Sequence, residues 1–324
     1  MRILPIDLDS PAELLAGLHE AYLDAHAEQL GPRDTPPTLS WIFTRGDSSQ
    51  RIEGFAWVEG DKVVAAYAHA FSTRDNLHLT WLSPFFVRPS HRRAGLGTEM
   101  LAHARARAAA DGRTLMLTES PVSSPAAAFA AARGWSLWQH EARRTLDLEQ
   151  ADWDALRALA PERVEGYAIE LHDGPLPPEL LGDLAVVLVG MNDAPHGEDV
   201  EPDTFDADLM REREASTIPR GDTCYSAIAR RLSDGAPAGY TRIYVDVPST
   251  GWGRQADTTV LAEHRGHGLG MALKVANLER AREREPDLRT IITWNATSNR
   301  HMLAINEAMG YELLDEWNTW QLRV

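Results

Sequence analysis

Apolar side chains at Leu14, Leu15, Leu18 and Tyr22 recur at helical spacing and predict a helix over 13–30, followed by a Pro-rich loop at 32–37. Shorter apolar runs then predict strands at 53–59, 63–71 and 77–87, the first two divided by the turn Gly60-Asp61. A helix opens at Gly95 and stops near Ala110, where Asp111-Gly112 ends it. A strand at 114–119, a helix at 124–132 and final strand residues up to Leu148 complete the first series. Residues 149–162 read as a short helical connector. The second series then has strands at 167–171, 223–231, 238–246 and 255–261. It continues with a helix at 268–285 stopped by Pro286, a strand at 289–294, a helix at 299–308 and strands over 310–323.

The order recurs because the sequence does. FFVRPSHRRAGLGTEML at 85–101 matches TTVLAEHRGHGLGMALK at 258–274, and 115–135 matches 290–311. Arg92 to Gly134 spans 42 residues, and Arg265 to Gly310 spans 45. Two landmarks in one order at nearly one spacing imply a duplicated unit. The expected division is 1–158 and 159–324, each half a mixed α/β domain. At roughly 150 residues per domain, 324 residues accommodate two.

Composition narrows the class. With 44% hydrophobic and 25% charged residues, the chain has the makeup of an ordinary globular protein. The single Cys224 excludes a disulfide framework and a Cys-rich zinc module, and no HExxH or Cys/His cluster suggests a metal. No 18-residue apolar run occurs and the first residues lack a signal-peptide pattern, so a cytoplasmic location is expected. The net charge of −16 divides into −3 over 1–150 and −13 over 151–324. Such a field disfavours nucleic acid and anionic membrane and favours cationic small molecules. Among the 32 basic residues only Lys62 and Lys274 are lysine.

The candidate chemistry lies in the repeated loop. In both copies a strand runs into Arg-x-x-Gly-x-Gly at the start of a helix, at Arg92, Gly95 and Gly97 and at Arg265, Gly268 and Gly270. Glycines there let backbone N–H groups converge, and the helix N-terminus adds partial positive charge, which together make a phosphate cradle. No Gly-Lys-Ser/Thr follows and neither copy has GxGxxG, so it is neither a Walker loop nor a dinucleotide fingerprint.

Val87-Arg88-Pro89 followed by Arg92-x-x-Gly95-x-Gly97 resembles the pyrophosphate signature of the GCN5-related N-acetyltransferases, the GNAT superfamily. Val260-Leu261-Ala262 and Arg265-x-x-Gly268-x-Gly270 resemble it too, with Ala262 in place of Pro. Asn295, Asn299, Gly310 and Tyr311 resemble the family's later motif. The duplicated arrangement is similar to mycothiol synthase and to tandem acetyltransferases of actinobacterial antibiotic clusters, including that for clavulanic acid. Met191-Asn192-Asp193-Ala194-Pro195 and Gln255-x-Asp257-Thr258 resemble an actinobacterial tandem subgroup.

The resemblance implies two GNAT domains, each with a splayed mixed sheet flanked by helices, and acetyl-CoA as co-substrate. It implies binding of the pyrophosphate by Arg92, Arg93, Ala94, Gly95, Leu96, Gly97 and Thr98 in one copy. Arg265, Gly266, His267, Gly268, Leu269, Gly270 and Met271 would do so in the other. Val87, Val260 and Leu261 would border the pantetheine, and the splay before Ser120 or Asn295 would admit the thioester, with Asn295 and Asn299 as further contacts. Ser120 and Ser124 replace those asparagines in the first copy, so the second copy is expected to catalyse. The implied function is acetyl transfer to a primary amine of a small, cationic molecule by direct attack. Alternatives are a non-catalytic acyl-CoA sensor and a mycothiol-synthase-like acetyltransferase.

Asp257 is the first candidate base, with an ordinary hydrogen-bonding role as its alternative; Glu119 and His196 are further candidates. The tyrosine that many GNAT enzymes use as acid is replaced by Asn306 and Ala130, which leaves Asn306 and the Tyr311 hydroxyl as candidates for that role. The acidic segment 193–214 offers Asp193, Glu198 and Asp199 as acceptor contacts, with a solvated acidic face as the alternative. Whether the protein is a monomer or homodimer stays open.

Overall fold

A computed structural model describes residues 1–160, 164–195, 197 and 199–324. The chain divides into two compact units, one of Met1–Gln139 with Trp317–Val324 and one of His140–Glu316.

In the first unit, strands β1 (Arg2–Ile6), β2 (Gln50–Glu59), β3 (Lys62–Ser72) and β4 (Leu79–Val87) are antiparallel neighbours. β5 (Leu115–Pro121) lies parallel to β4, as the intervening helix α3 (Leu96–Ala110) requires of a crossover. Helices α1 (Ala12–Ala25) and α2 (Pro36–Thr44) cover one sheet face through Leu18, Tyr22, Leu39 and Phe43 against Ala56, Val63 and Phe86. The other face meets α3 and α4 (Pro125–Ala132) through Trp57, Leu82, Met100, Leu101, Ala104 and Ala130. The Pro-rich stretch expected to be loop passes at Pro36 into α2. Thr35 caps the helix by accepting from the Thr38 amide, and Pro36 sits at the first helical position, where its missing N–H costs nothing.

The second unit repeats the plan. β7 (Tyr167–Asp173), β8 (Asp222–Arg231), β9 (Pro237–Asp246) and β10 (Trp252–Val260) are antiparallel neighbours, and β11 (Thr290–Ala296) runs parallel to β10. Strand alternation sends Tyr225, Ile243 and Val245 to helix α8 (Leu269–Arg284), and Ile228 and Tyr240 to α6 (Leu181–Leu188) and α7 (Ala207–Ser216). Helices α5 (Trp153–Leu159) and α9 (Arg300–Ala308) complete it.

Each unit's last strand comes from an unexpected part of the chain. β12 (Glu312–Arg323) pairs antiparallel with β5 through Trp317–Arg323 in the first unit. β6 (Ser136–Asp147) pairs with β11 through Glu141–Asp147 in the second. The two strands have the same succession of buried and exposed positions. They are equivalent strands exchanged between copies, so the units divide at 139/140 and 316/317 where the sequence suggested 158/159. Strand pairing sets these boundaries.

Burial in the first unit also carries a pH dependence. His69 on β3 is wholly enclosed and neither ring nitrogen has a partner among the described residues, so burial lowers its pKa to about 4. The folded chain resists protonation that the unfolded chain accepts, so His69 stability is lost as pH falls from 6.5 towards 4. Chemical denaturation at pH 7 and pH 4.5 should show His69→Leu losing less stability on acidification than the parent, by about 2 kcal/mol.

Candidate active site

Each phosphate-type loop alternates left-handed and ordinary backbone. Arg93 and Gly95 have φ of 65° and 88°, and the equivalent Gly266 and Gly268 have 82° and 76°. Among the described residues no backbone carbonyl accepts from the amides of Arg93–Gly97 or Gly266–Gly270. A Cβ built on Gly95, Gly266 or Gly268 would meet nothing within 4 Å, so open space lies before both loops. Unpaired amides at a helix N-terminus, facing open space, suit an oxyanion or pyrophosphate.

The loop side chains do other work. Arg92 Nε donates to the Val87 carbonyl at 3.1 Å and its guanidinium also reaches the Ala25 carbonyl at 2.8 Å. Arg265 Nε donates to the Val260 carbonyl at 3.0 Å and its other end pairs with Asp193. Both signature arginines thus fasten strand end to loop, and the cradle is left to backbone amides. Asp193, expected at an acceptor, is engaged by Arg265. Leu96 and Leu269 are buried, so only their amides can face the loop opening. The Thr98 amide is taken by the Gly95 carbonyl and its hydroxyl accepts from Arg133. Met271 packs on the core, and His267 hydrogen-bonds through Nδ1 with the Arg265 carbonyl at 3.0 Å. Ala94 is exposed.

Both sheets open beside their loop. β4 and β5 pair only from Leu79/Leu115 to Trp81/Leu117, and β10 and β11 only from Trp252/Thr290 to Arg254/Ile292. Beyond those pairs the parallel strands part. Each splaying strand is also bulged at the equivalent place, around Ser83-Pro84 in β4 and Ala256-Asp257 in β10. The two openings differ chemically. In the first, the Thr118 hydroxyl donates to the Leu82 carbonyl at 2.7 Å and Ser83 donates to Glu119 at 3.2 Å, bridging the gap. Among the described residues no such bridge joins Gln255 to Thr293 in the second; Gln255 bonds sideways to Thr241 and the Arg242 carbonyl. Pro84 has no N–H, whereas Asp257 offers both an amide and a carboxylate at the same bulge.

Asp257 opens to solvent but stands in crowded surroundings, and desolvation raises its carboxyl pKa, with Arg213 and Arg242 opposing. Arg242 is buried in an ion pair with Glu214 at 2.6 Å, and its Nε donates to Ser226. Glu214, in the segment expected to select a cation, is therefore structural; it also accepts from the Leu176 amide. Asp206 likewise caps α7. Asp199 is exposed in a turn, and His196 and Glu198 lie outside the described residues. Glu214→Ala strands a buried guanidinium, and urea unfolding should show a loss of about 3–5 kcal/mol.

The remaining expected residues sort by burial. Asn299 caps α9 by accepting from the Met302 amide at 3.2 Å, as Ser124 caps α4. Asn306 is wholly buried and its Nδ2 donates to Asn295 Oδ1 at 2.7 Å, so it faces the splay. Tyr311 is buried. Its ring belongs to the core with Leu146, Ile243 and Val275, as Trp135 belongs to the first core, because the Gly310 turn tucks the aromatic inward. Cys224 is wholly buried and its thiol is pushed up to about 11, which makes it a poor nucleophile. Sequence reading missed Lys274, a fully buried amine, although its place in the repeat against Leu101 was a signal.

Residues 15–135 match the model of the acetyltransferase (GNAT) family. That stretch, most of the first unit, is similar to GNAT acetyltransferase domains. The whole chain is similar in structure to a tandem GNAT protein from the clavulanic acid biosynthesis pathway, at 25% identity and TM-score 0.84, covering 99% of this chain and 98% of that one. A GCN5-related N-acetyltransferase from Sphaerobacter thermophilus is similar at 15% identity and TM-score 0.68, over 99% and 95% of the two chains. The chain thus has a tandem GNAT fold. No curated protein matches it in sequence. Among the described residues, no helix is long and apolar enough to cross a membrane, and no group of three His, Cys, Asp or Glu could hold a metal.

Proposed function

We propose that the protein transfers an acetyl group from acetyl-CoA to a primary amine of a small molecule, and that the second unit performs the chemistry. The observation that carries the choice of unit is the pair of bulges: Asp257 in one, Pro84 in the other. Acetyl-CoA supplies an activated thioester carbonyl. The unpaired amides of Gly266–Gly270 would hold its pyrophosphate, and the unbridged gap between β10 and β11 would take the pantetheine arm. An amide at the Ala256-Asp257 bulge, freed from the ladder, can donate to the carbonyl oxygen as negative charge develops there. Asp257 would accept the amine's proton as the N–C bond forms. The buried, weakly acidic Cys224 favours direct attack over an acyl-enzyme route. The first unit, with its bridged splay, is assigned a binding or structural role.

The acceptor is assigned as a cationic amine on the charge of the second half, −13 over 151–324. Free-thiol release from acetyl-CoA with a panel of small amines tests the reading; tight acetyl-CoA binding without turnover would replace it by a sensor role. Asp257→Asn should lower kcat by on the order of 10²–10³ while leaving acetyl-CoA binding intact. In the parent, kcat should rise with pH through the raised Asp257 pKa, because the base works ionised. An unchanged profile in Asp257→Asn would remove Asp257 as base.

A further inference from the structure

Behind the second splay four neighbouring positions differ in kind from their counterparts in the first unit. There Leu101, Ala104, Ala130 and Trp135 lie together in one apolar cluster. The second unit has Lys274, Asn277, Asn306 and Tyr311 at the equivalent places, all buried. Lys274 Nζ lies 5.3 Å from the centre of the Tyr311 ring. Among the described residues, Lys274 Nζ, Asn277 Oδ1, Asn306 Oδ1 and Tyr311 Oη have no hydrogen-bond partner. Buried polar atoms are costly when unpaired, and a duplicated fold that fills the same layer with hydrocarbon shows that folding does not demand them. Unpaired buried donors and acceptors at these positions are suited to ordered water. One edge of the group meets the splay, because Asn306 Nδ2 donates to Asn295 Oδ1 on β11 beyond the last β10–β11 pair.

We propose that Lys274, Asn277, Asn306 and Tyr311 form a hydrated proton-donating pocket, and that Lys274 returns a proton to the thiolate leaving the second splay. The proposal rests on the reading that the second unit carries out acetyl transfer. As the amine nitrogen bonds to the acetyl carbon, its proton passes to Asp257. The C–S bond breaks and its electron pair goes to sulfur. The Lys274 ammonium gives a proton to that sulfur through water, and the resulting neutral amine is reprotonated from solvent, to which Asp257 returns its own proton. The step supplies the acid function at a site where Tyr311 lies in the core.

The surroundings suit such a donor. Among the described residues no charged side chain acts on Lys274, and burial lowers its pKa to about 7. The Tyr311 ring lies beside it, and Asn277 on the same helix donates to the carbonyl of Tyr225 on β8, whose hydroxyl donates to Glu285 at 2.5 Å. Both phenols are held protonated by burial, so the amine is the group that titrates in the neutral range.

The experiment is a kcat–pH profile of the full chain with acetyl-CoA and the most active amine of the panel, for the parent, Lys274→Met and Asn306→Ala. In the parent, kcat should fall as pH rises through about 7, because the acid works protonated. Lys274→Met should remove that alkaline limb and lower kcat about tenfold or more, with KM for acetyl-CoA unchanged. Asn306→Ala, which installs the first unit's residue, should lower kcat in the same way with Lys274 present. A limb that persists in Lys274→Met, in a parent that turns over, overturns the relay alone. A parent that transfers to no amine overturns the relay together with the transferase reading.

Discussion

Gly268→Glu should reduce kcat/KM for acetyl-CoA by on the order of 100-fold or more, whereas Gly95→Glu should leave most of the activity. The pair is matched. Both glycines precede the first residue of a helix, at φ of 76° and 88°, and a Cβ on either meets nothing within 4 Å. Any other residue pays about 1–2 kcal/mol for the left-handed backbone, so the folding cost is similar in the two variants. Each new carboxylate projects into the open space before a row of unpaired amides, where it competes with a pyrophosphate. Only the consequence for turnover differs, because one loop stands beside an open splay and the other beside a bridged one. Thiol release and acetyl-CoA binding by calorimetry, measured on both variants, decide the matter. The opposite pattern would place catalysis in the first unit, and equal loss would mean that both loops serve one reaction.

What the sequence revealed was local. The helix starts at Leu96 and Leu269 and the strands leading into them were legible, because glycine spacing and apolar period are properties of neighbouring residues. The exchange of β6 and β12 was not, because their apolar pattern is shared and pairing partners leave no trace in a single chain. For the same reason the Pro-rich stretch concealed α2, where proline starts a helix as readily as it ends one. In the candidate site, Asp257 is proposed from its place three residues before Val260, but the bulge at Ala256-Asp257 depends on β9 and could not be read. The inward turn of the Tyr311 ring was not legible, because a polar atom on an aromatic ring does not reveal which way the ring turns. Within the acidic segment the partners were not legible: Asp193, Asp206 and Glu214 are committed to Arg265, a helix end and Arg242, which only the folded arrangement brings near.

Lys274→Met should stabilise the second unit at pH 7 by about 2–4 kcal/mol. An isolated lysine titrates at 10.5, and burial lowers Lys274 to about 7. The unfolded chain therefore binds a proton that the folded chain refuses between those values, and stability falls as pH drops from 10.5 to 7, then levels off below. At about 1.36 kcal/mol per unit the full shift is worth about 5 kcal/mol, nearly all of it lost by pH 7. Methionine keeps the length of the side chain, removes the penalty, and forfeits a contact of about 1 kcal/mol between the amine and the Tyr311 ring. Denaturant unfolding of the parent at pH 7 and pH 9.5 should show rising stability, and Lys274→Met should be nearly flat over that range. A variant less stable than the parent at pH 7 would mean that the amine is charged and well paired in the fold. Stability gained together with turnover lost is the expected signature of a buried group kept for its chemistry, since the first unit folds with Leu101 at the same position.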